Sequence, residues 1–508
     1  MSSKPSAIVI GSGFGGLALA IRLQSAGIGT TLIEARDRPG GRAYRWEREG
    51  YIFDAGPTVI TDPACLEELW MLSGNRMDED VTLKPVSPFY RLVWNDGTQF
   101  DYSNDDALLE KEIAKLDAKD IEGYHRFLDY ARSVYQEGYV KLGAVPFLDF
   151  KSMLKAAPAL ARHKAWRSVY AILSSFVGNE KLRQALSFHT LLVGGNPMST
   201  SGIYALIHHL EREGGIWWTT GGTNALVDGM VALFERLGGT LMLNEPVREI
   251  LHEGRRVTGV VTQAGRRIHA DQIASNADVV STYKMIVGSS HALRKRHSLE
   301  AKRFSPSLFV LHMGIKGNFP KIAHHSILFS DRYGPLLDDI YKGGRLPKDP
   351  SIYLHNPGAS DASVAPAGKS VLYALAPVPH LGAAAVNWAE EGDRYRQIII
   401  GRIRDLLIPD IEDRIEICFH YTPEDFQRDL DAHLGSAFSL EPVLTQSAWF
   451  RAHNRDDRFE NLFLVGAGTH PGAGIPGVVG SAKATAGLMM QTGRPVSVRA
   501  RGVISGVD

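Results

Sequence analysis

Three glycines, Gly11, Gly13 and Gly16, stand in the spacing G-x-G-x-x-G. They follow the apolar run of residues 7–10 directly and precede residues 17–24, whose apolar spacing is helical. Residues 30–33 form the next apolar β run, and Glu34 ends it. This order of strand, glycine turn, helix, strand and acid suits dinucleotide chemistry. Gly11 permits a tight turn, Gly13 lets the backbone close on a pyrophosphate, and Gly16 lets helix and strand pack closely. The helix N–H groups and its positive dipole end then face the phosphates. Glu34 stands where a carboxylate accepts hydrogen bonds from a ribose diol, and it repels a 2′-phosphate, which disfavours NADP; Arg36 offsets part of that repulsion. Glycines in this spacing also mark plain turns. The strand before, the helix after and an acid about 20 residues on set this run apart from a turn in a ligand-free domain.

Further chemistry-bearing residues fall in three places. Arg38-Pro39-Gly40-Gly41-Arg42 follows the acid, a second glycine turn that a nicotinamide dehydrogenase does not need. Asp54-Ala55-Gly56-Pro57-Thr58 comes next. Near the other end, the β run of residues 462–465 leads into Gly466-Ala467-Gly468. A glycine–proline turn over residues 472–480, which holds Gly477 and Val478, then opens the last helix. A helix N-terminus placed there can stabilise negative charge on a reduced cofactor ring. His470 lies in the same region and Asp149 in the segment VPFLDF. Both are weak candidates for a base: His470 reads first as a residue that holds its turn, and Asp149 as a solvated boundary residue. The sequence offers no convincing Ser-His-Asp, paired-carboxylate or metal-ligand constellation.

These residues need elements to hold them. The chain's 508 residues suffice for two or three domains with real cores. Its 56 basic and 56 acidic residues cancel, which gives no sign of a nucleic-acid partner. Cys65 and Cys418 are too few for a disulfide framework and fit a reducing cytosol. Residues 1–4 lead into the first strand without the pattern of a signal peptide, and no apolar run reaches the ~18 residues a spanning helix needs. The expectation is a protein that is soluble or lies on one face of a membrane. Residues 63–73, 105–142, 182–195, 203–213, 224–237 and 387–407 have helical spacing. Residues 81–102 alternate around Asn95-Asp96-Gly97, a hairpin expected to start a second sheet that resumes at 308–314, 351–355, 371–378 and 415–420. The expected architecture is α/β. A Rossmann-like dinucleotide domain is split over residues 1–75, 220–290 and 455–492, and a mixed-sheet substrate domain spans 76–150 and 291–454. A helical insert occupies 151–219, and residues 493–508 form a loosely ordered tail. Residues 151–179 carry Lys151, Lys155, Arg162, Lys164 and Arg167 with no acid among them, interleaved with Met153, Leu154, Leu160 and Trp166. Pro158 is expected to break this stretch into two helical pieces. Such a stretch either lies in a membrane interface or packs on its own core with a solvated basic face.

Several longer segments carry a family likeness: GSGFGGLALAIRLQSAGI, GGRAY, FDAGPTVITDP, VPFLDF, LLVGGNP, ASNADVV, SAFSLEPVLTQSAWFRAHNR and VGAGTHPGAGIPGVVGSAKATAGLM. Together they resemble the bacterial carotenoid phytoene desaturases of the FAD amine oxidase superfamily, over nearly the whole chain up to about Gln491. Ala452 departs from the pattern, at a position where the family usually has proline. The resemblance implies a glutathione-reductase-type FAD domain and a membrane-facing helical insert. It implies cofactor contacts at Gly11, Gly13, Phe14, Gly15, Gly16, Glu34, Ala35, Arg36, Gly41, Arg42, Pro57, Thr58, Val247, Gly466, Gly468, Gly477 and Val478. Arg42 would reach the pyrophosphate, and Val247 would present its backbone to the adenine. The implied reaction desaturates 15-cis-phytoene through carotene intermediates toward lycopene. The mechanism expected for it is hydride transfer to flavin N5, and with no second nicotinamide fingerprint in the sequence the expected electron acceptor is quinone or oxygen. A peripheral place on the cytoplasmic side of the cell membrane follows from so apolar a substrate. Three alternatives stay open: a carotenoid isomerase or later-step desaturase, an amine oxidase with an aromatic cage beside the flavin, and a non-catalytic lipid carrier on the same fold.

Overall fold

The structure is a computed structural model that describes residues 5–492. The tail expected to be loosely ordered, residues 493–508, lies outside the described residues. A five-stranded sheet of parallel strands is ordered Leu462–Leu464, Gln272–Ser275, Ser6–Ile10 (β1), Gly29–Ile33 (β2) and Thr240–Met242. Widely separated parts of the sequence meet in it because parallel neighbours need crossovers. Strand β1 is central and buried over residues 7–10, as a near-continuous apolar run between two covered faces should be. The helix Phe14–Ser25 (α1) follows at once and is buried from Phe14 to Leu23. It packs against the last helix, Ile475–Thr492. The buried Arg22 guanidinium donates to Glu68 Oε1 at 3.0 Å, and Lys483 Nζ donates to the other carboxylate oxygen at 3.0 Å. This one carboxylate ties α1, the helix Pro63–Met71 and the last helix together.

A seven-stranded mixed sheet forms the second layer. Its order is Ile415–Tyr421, Ser307–Lys316, Lys369–Val378, Ile352–His355, His325–Leu328, Tyr90–Val93 and Gln99–Tyr102. The pairing is antiparallel except between His325–Leu328 and Tyr90–Val93. The hairpin expected around Asn95-Asp96-Gly97 is its edge. Helices Asp106–Asp117, Ile121–Tyr135, Glu180–Ser187 and Leu206–Gly214 cover one side through an aromatic core that includes Phe100, Tyr124, Phe127 and Phe188.

One local expectation is corrected. Pro158 does not divide residues 151–179, because the helix Phe150–Arg162 runs through it. The break comes later, where Lys164 takes a left-handed φ of 49° before the short helix Val169–Leu173. The helix is largely exposed on the side that lacks the proline N–H, so the missing hydrogen bond is tolerated there. The strand His325–Leu328 and the helix Tyr333–Tyr341 were not anticipated at all.

Candidate active site

The first glycine turn sits where β1 hands over to α1. Gly11 has φ 89°, and a Cβ on Gly16 would stand 2.0 Å from the Gly11 carbonyl oxygen, so only glycine permits the close helix–strand contact there. Gly11, Gly13, Phe14 and Gly15 border a continuous cavity of about 1120 Å³, beyond the usual small-ligand range of about 300–1,000 Å³. Gly16 lies behind the turn and does not border it.

Glu34 is buried at the end of β2 and borders the same cavity. Its Oε2 accepts from the Ser12 N–H at 2.9 Å and from Ser12 Oγ at 2.6 Å, and its Oε1 accepts from the Arg36 N–H at 3.0 Å. These donors fix the carboxylate within the turn and leave Oε1 a second lone pair. Ala35 and Arg36 border the cavity too, with the Arg36 guanidinium stacked 3.5 Å over the Tyr44 ring. Gly41 and Arg42 follow in the second glycine turn. Arg42 is the informative residue here. Burial lowers its pKa, an effect Asp278 opposes, yet its Nη2 donates only a long 3.3 Å hydrogen bond to the Ser436 carbonyl and its Nε has no partner. Across from it, burial raises the Asp278 carboxyl, and Asp278 Oδ2 is likewise unpartnered. A buried guanidinium with an unused N–H is costly unless an anion meets it. Arg42, the open N–H groups of α1 and the side-chain-free edge at Gly13 and Gly15 together fit a dinucleotide pyrophosphate.

Pro57, Thr58 and Val247 border the cavity. Thr58 Oγ1 lies 2.5 Å from the Tyr353 hydroxyl, which lies 2.8 Å from His325 Nδ1. The last helix begins at Ile475, and its first residues, including Gly477 and Val478, point their turn into the cavity. Gly466 and Gly468 do not border it. They sit behind it, where a Cβ on Gly466 would stand 2.4 Å from Asn276 Oδ1 and one on Gly468 would stand 2.3 Å from Val279 Cγ1.

The two base candidates part company. His470 borders the cavity, donates from Nε2 to the Leu142 carbonyl at 2.8 Å, and is pushed down to about 4 by burial. It joins the C-terminal turn to the end of the π-helical segment Gln136–Lys141. Asp149 drops out as a base: it lies outside the cavity, exposed as the solvated boundary residue it first reads as, and its Oδ1 accepts from the Ser152 N–H at 2.8 Å as the N-cap of the Phe150–Arg162 helix. These hydrogen bonds lower its pKa.

Sequence reasoning passed over Asn276, whose carboxamide lies between the Gly11 carbonyl, 3.4 Å from Nδ2, and the backbones of Gly15 and Gly466. A signal existed, since Asn276 ends a strand beside the first glycine turn, where ligands collect in open parallel sheets. Arg451 is buried and donates to the carbonyls of Ala467 at 2.6 Å and Leu440 at 3.2 Å. Ala452, the departure from the family pattern, pairs with Thr469 in an isolated bridge, so the segment stays attached to the C-terminal turn.

Residues 14–490 match the model of the flavin-containing amine oxidoreductases. The chain belongs to the flavin-containing amine oxidoreductase family. Within it the chain stands on the bacterial phytoene desaturase branch: it is 59% identical over 486 residues to a lycopene-forming phytoene desaturase of Paracoccus sp. (strain N81106 / MBIC 01143), covering 96% of this chain and 97% of that one. A neurosporene-forming phytoene desaturase of Cereibacter sphaeroides is 40% identical over 96% of this chain and 95% of its own. A solved putrescine oxidase has the same fold at 16% identity, with a TM-score of 0.66 over 96% of this chain and 99% of that one. Membership makes this an FAD flavoprotein with an amine-oxidase-like α/β fold and mixed sheets.

Proposed function

We propose that the protein is an FAD-dependent oxidoreductase acting on CH–CH bonds, which desaturates 15-cis-phytoene by successive dehydrogenations toward lycopene. One observation carries this reading: the dinucleotide cleft opens into a large cavity that continues between the seven-stranded sheet and the helical layer, walled by residues such as Phe188, Leu210, Leu308, Ile327 and Phe329. A C40 hydrocarbon has no hydrogen-bonding groups, so only the shape of an apolar cavity can orient it. The lycopene-forming relative at 59% identity supports that substrate and product.

The residues divide the work. The turn of Gly11, Gly13 and Gly15 and the N-terminus of α1 receive the pyrophosphate, and Arg42 neutralises it. Glu34 accepts from the ribose, and the Val247 backbone meets the adenine. Bound FAD supplies the hydride acceptor. The N-terminus of the last helix stabilises negative charge beside the flavin ring. The wall of Thr58, Tyr353 and the aromatic core keeps water away. In this reading residues 1–75, 220–290 and 455–492 make a glutathione-reductase-type FAD domain, and the helices of 151–219 face a membrane.

The Phe150–Arg162 helix supports the membrane assignment. Met153, Ala156 and Leu160 border the cavity, while Phe150 is 51% exposed and Leu154 is 57% exposed on its outer side, with Trp166 65% exposed beyond its end. Lys151, Lys155 and Arg162 flank them. One helix thus joins the cavity to an exposed basic, apolar surface, as an entry for a lipid-dissolved substrate requires. No helix among the described residues is long and apolar enough to cross a membrane. The attachment in this proposal is peripheral, on the cytoplasmic side. Quinone or oxygen takes the electrons. The test is turnover of phytoene in liposomes with quinone added, with oxygen alone, and with neither. Lycopene should form in the first two arms only; full turnover without an acceptor would refute the proposed electron route, and no conjugated product in any arm would refute the function.

A further inference from the structure

The cavity has a polar spot that cofactor binding leaves unused. His189, on the 3-10 helix Phe188–Val193, and Glu211, on the helix Leu206–Gly214, both border the cavity and are buried. His189 Nε2 lies 3.1 Å from Glu211 Oε2. Glu211 Oε1 accepts from the Tyr90 hydroxyl at 2.9 Å. Neither ring nitrogen of His189 has a well-formed hydrogen bond, although the Leu186 carbonyl stands near enough to the ring to favour its charged form. An acid and an imidazole so placed in an apolar interior are costly to the fold. Such costs concentrate at functional sites. Burial pushes the Glu211 carboxyl up to about 7, against the Tyr90 hydrogen bond, and pushes His189 down to about 3, so a neutral imidazole stands beside a carboxyl that exchanges its proton near neutrality.

We propose that the His189–Glu211 pair accepts the proton released at each desaturation. This rests on the desaturase reading. Each step breaks two C–H bonds on neighbouring carbons. One hydrogen leaves as hydride to FAD. The other leaves as a proton to His189 Nδ1, and its bonding electron pair becomes the new C=C bond. The Nε2–H of His189 passes its proton to Glu211, which leaves a neutral imidazole and a neutral carboxylic acid. His189 is the catalytic residue, and Glu211 acts through it. The groups facing the pair carry no competing negative charge. Tyr102 and His208 hydrogen-bond each other at 3.1 Å, the His325 ring lies 5.8 Å from the Tyr90 ring, and Arg212 is turned to Asp106 and the Ser103 carbonyl. His470 borders the same cavity, but a proton there would create an imidazolium disfavoured by burial and further by the Arg451 charge, with no carboxylate paired to it among the described residues.

The test compares the wild type with Glu211→Gln and Tyr90→Phe, each loaded with FAD and mixed anaerobically with phytoene in liposomes. Glu211→Gln should slow flavin reduction at saturating phytoene about 100-fold, a typical share for a general base, with the apparent phytoene affinity unchanged. It should also abolish the pH dependence near neutrality. Tyr90→Phe should move that midpoint to higher pH, because the hydroxyl no longer favours the carboxylate. Independently of turnover, infrared spectra of the FAD-free protein should show a carboxylic acid band that titrates near neutrality and is missing in Glu211→Gln. Wild-type flavin reduction in Glu211→Gln, an unmoved midpoint in Tyr90→Phe, or no such band overturns the inference while wild-type desaturation stands. Failure of the wild type itself to desaturate phytoene overturns the function instead.

Discussion

Arg42 shows how a single residue declares its purpose. Arg42 is half-buried and lines the cavity with its buried Nε idle, and hydrogen bonds to charged groups contribute about 1.5–3 kcal/mol each. Arg42→Ala should therefore weaken FAD binding about 10- to 100-fold, read by flavin fluorescence during titration of the FAD-free protein; unchanged binding would remove Arg42 from the pyrophosphate site. Glu211 makes a second prediction at this scale. Its carboxyl stays protonated in the fold up to about 7 but ionises in the unfolded chain above the ordinary 4.5. The folded state holds the extra proton, so this group's contribution to stability is present below 4.5 and lost as pH rises through about 7. Glu211→Gln does not titrate and should gain about 3 kcal/mol on the wild type across that window. Denaturant melts of both proteins at mildly acid and mildly alkaline pH check it, and a constant difference would contradict it.

At the scale of elements, legibility followed how local the cause was. The turn of Gly11, Gly13 and Gly16, the acid Glu34 and the hairpin at Asn95-Asp96-Gly97 each depend on a few adjacent residues, and each could be read directly. The strand His325–Leu328 could not. It has only four residues and owes its state to pairing with Ile352–His355 and Tyr90–Val93, which are distant in sequence. Glu211 and His189 escaped for a related reason. Each looks like an ordinary polar position on a helical stretch until the fold brings the two side chains together. Pro158 misled because proline acts on a hydrogen bond that an exposed helix can forgo. The same Phe150–Arg162 helix carries the prediction proper to this scale. Leu154→Glu with Trp166→Glu should weaken binding to anionic vesicles by about tenfold per residue, the free energy of one large apolar side chain. FAD content should be unchanged. Cosedimentation with vesicles decides, and undiminished binding would place the membrane contact elsewhere.

For the molecule as a whole, the two sheets have separate duties. The parallel sheet brings β1, β2 and the strand before the last helix to one cleft, and the seven-stranded sheet with its helical cover builds the cavity into which that cleft opens. The putrescine oxidase likeness shows that the framework is shared by proteins of very different sequence, so chemistry must be decided by the cavity rather than the frame. The most direct test is one anaerobic mixing experiment with FAD-loaded protein and phytoene held in liposomes, without any electron acceptor. Bleaching of the flavin band in step with the rise of a conjugated-polyene spectrum, one new double bond per flavin reduced, is the result expected. A flavin that stays oxidised beside saturating phytoene would contradict the account.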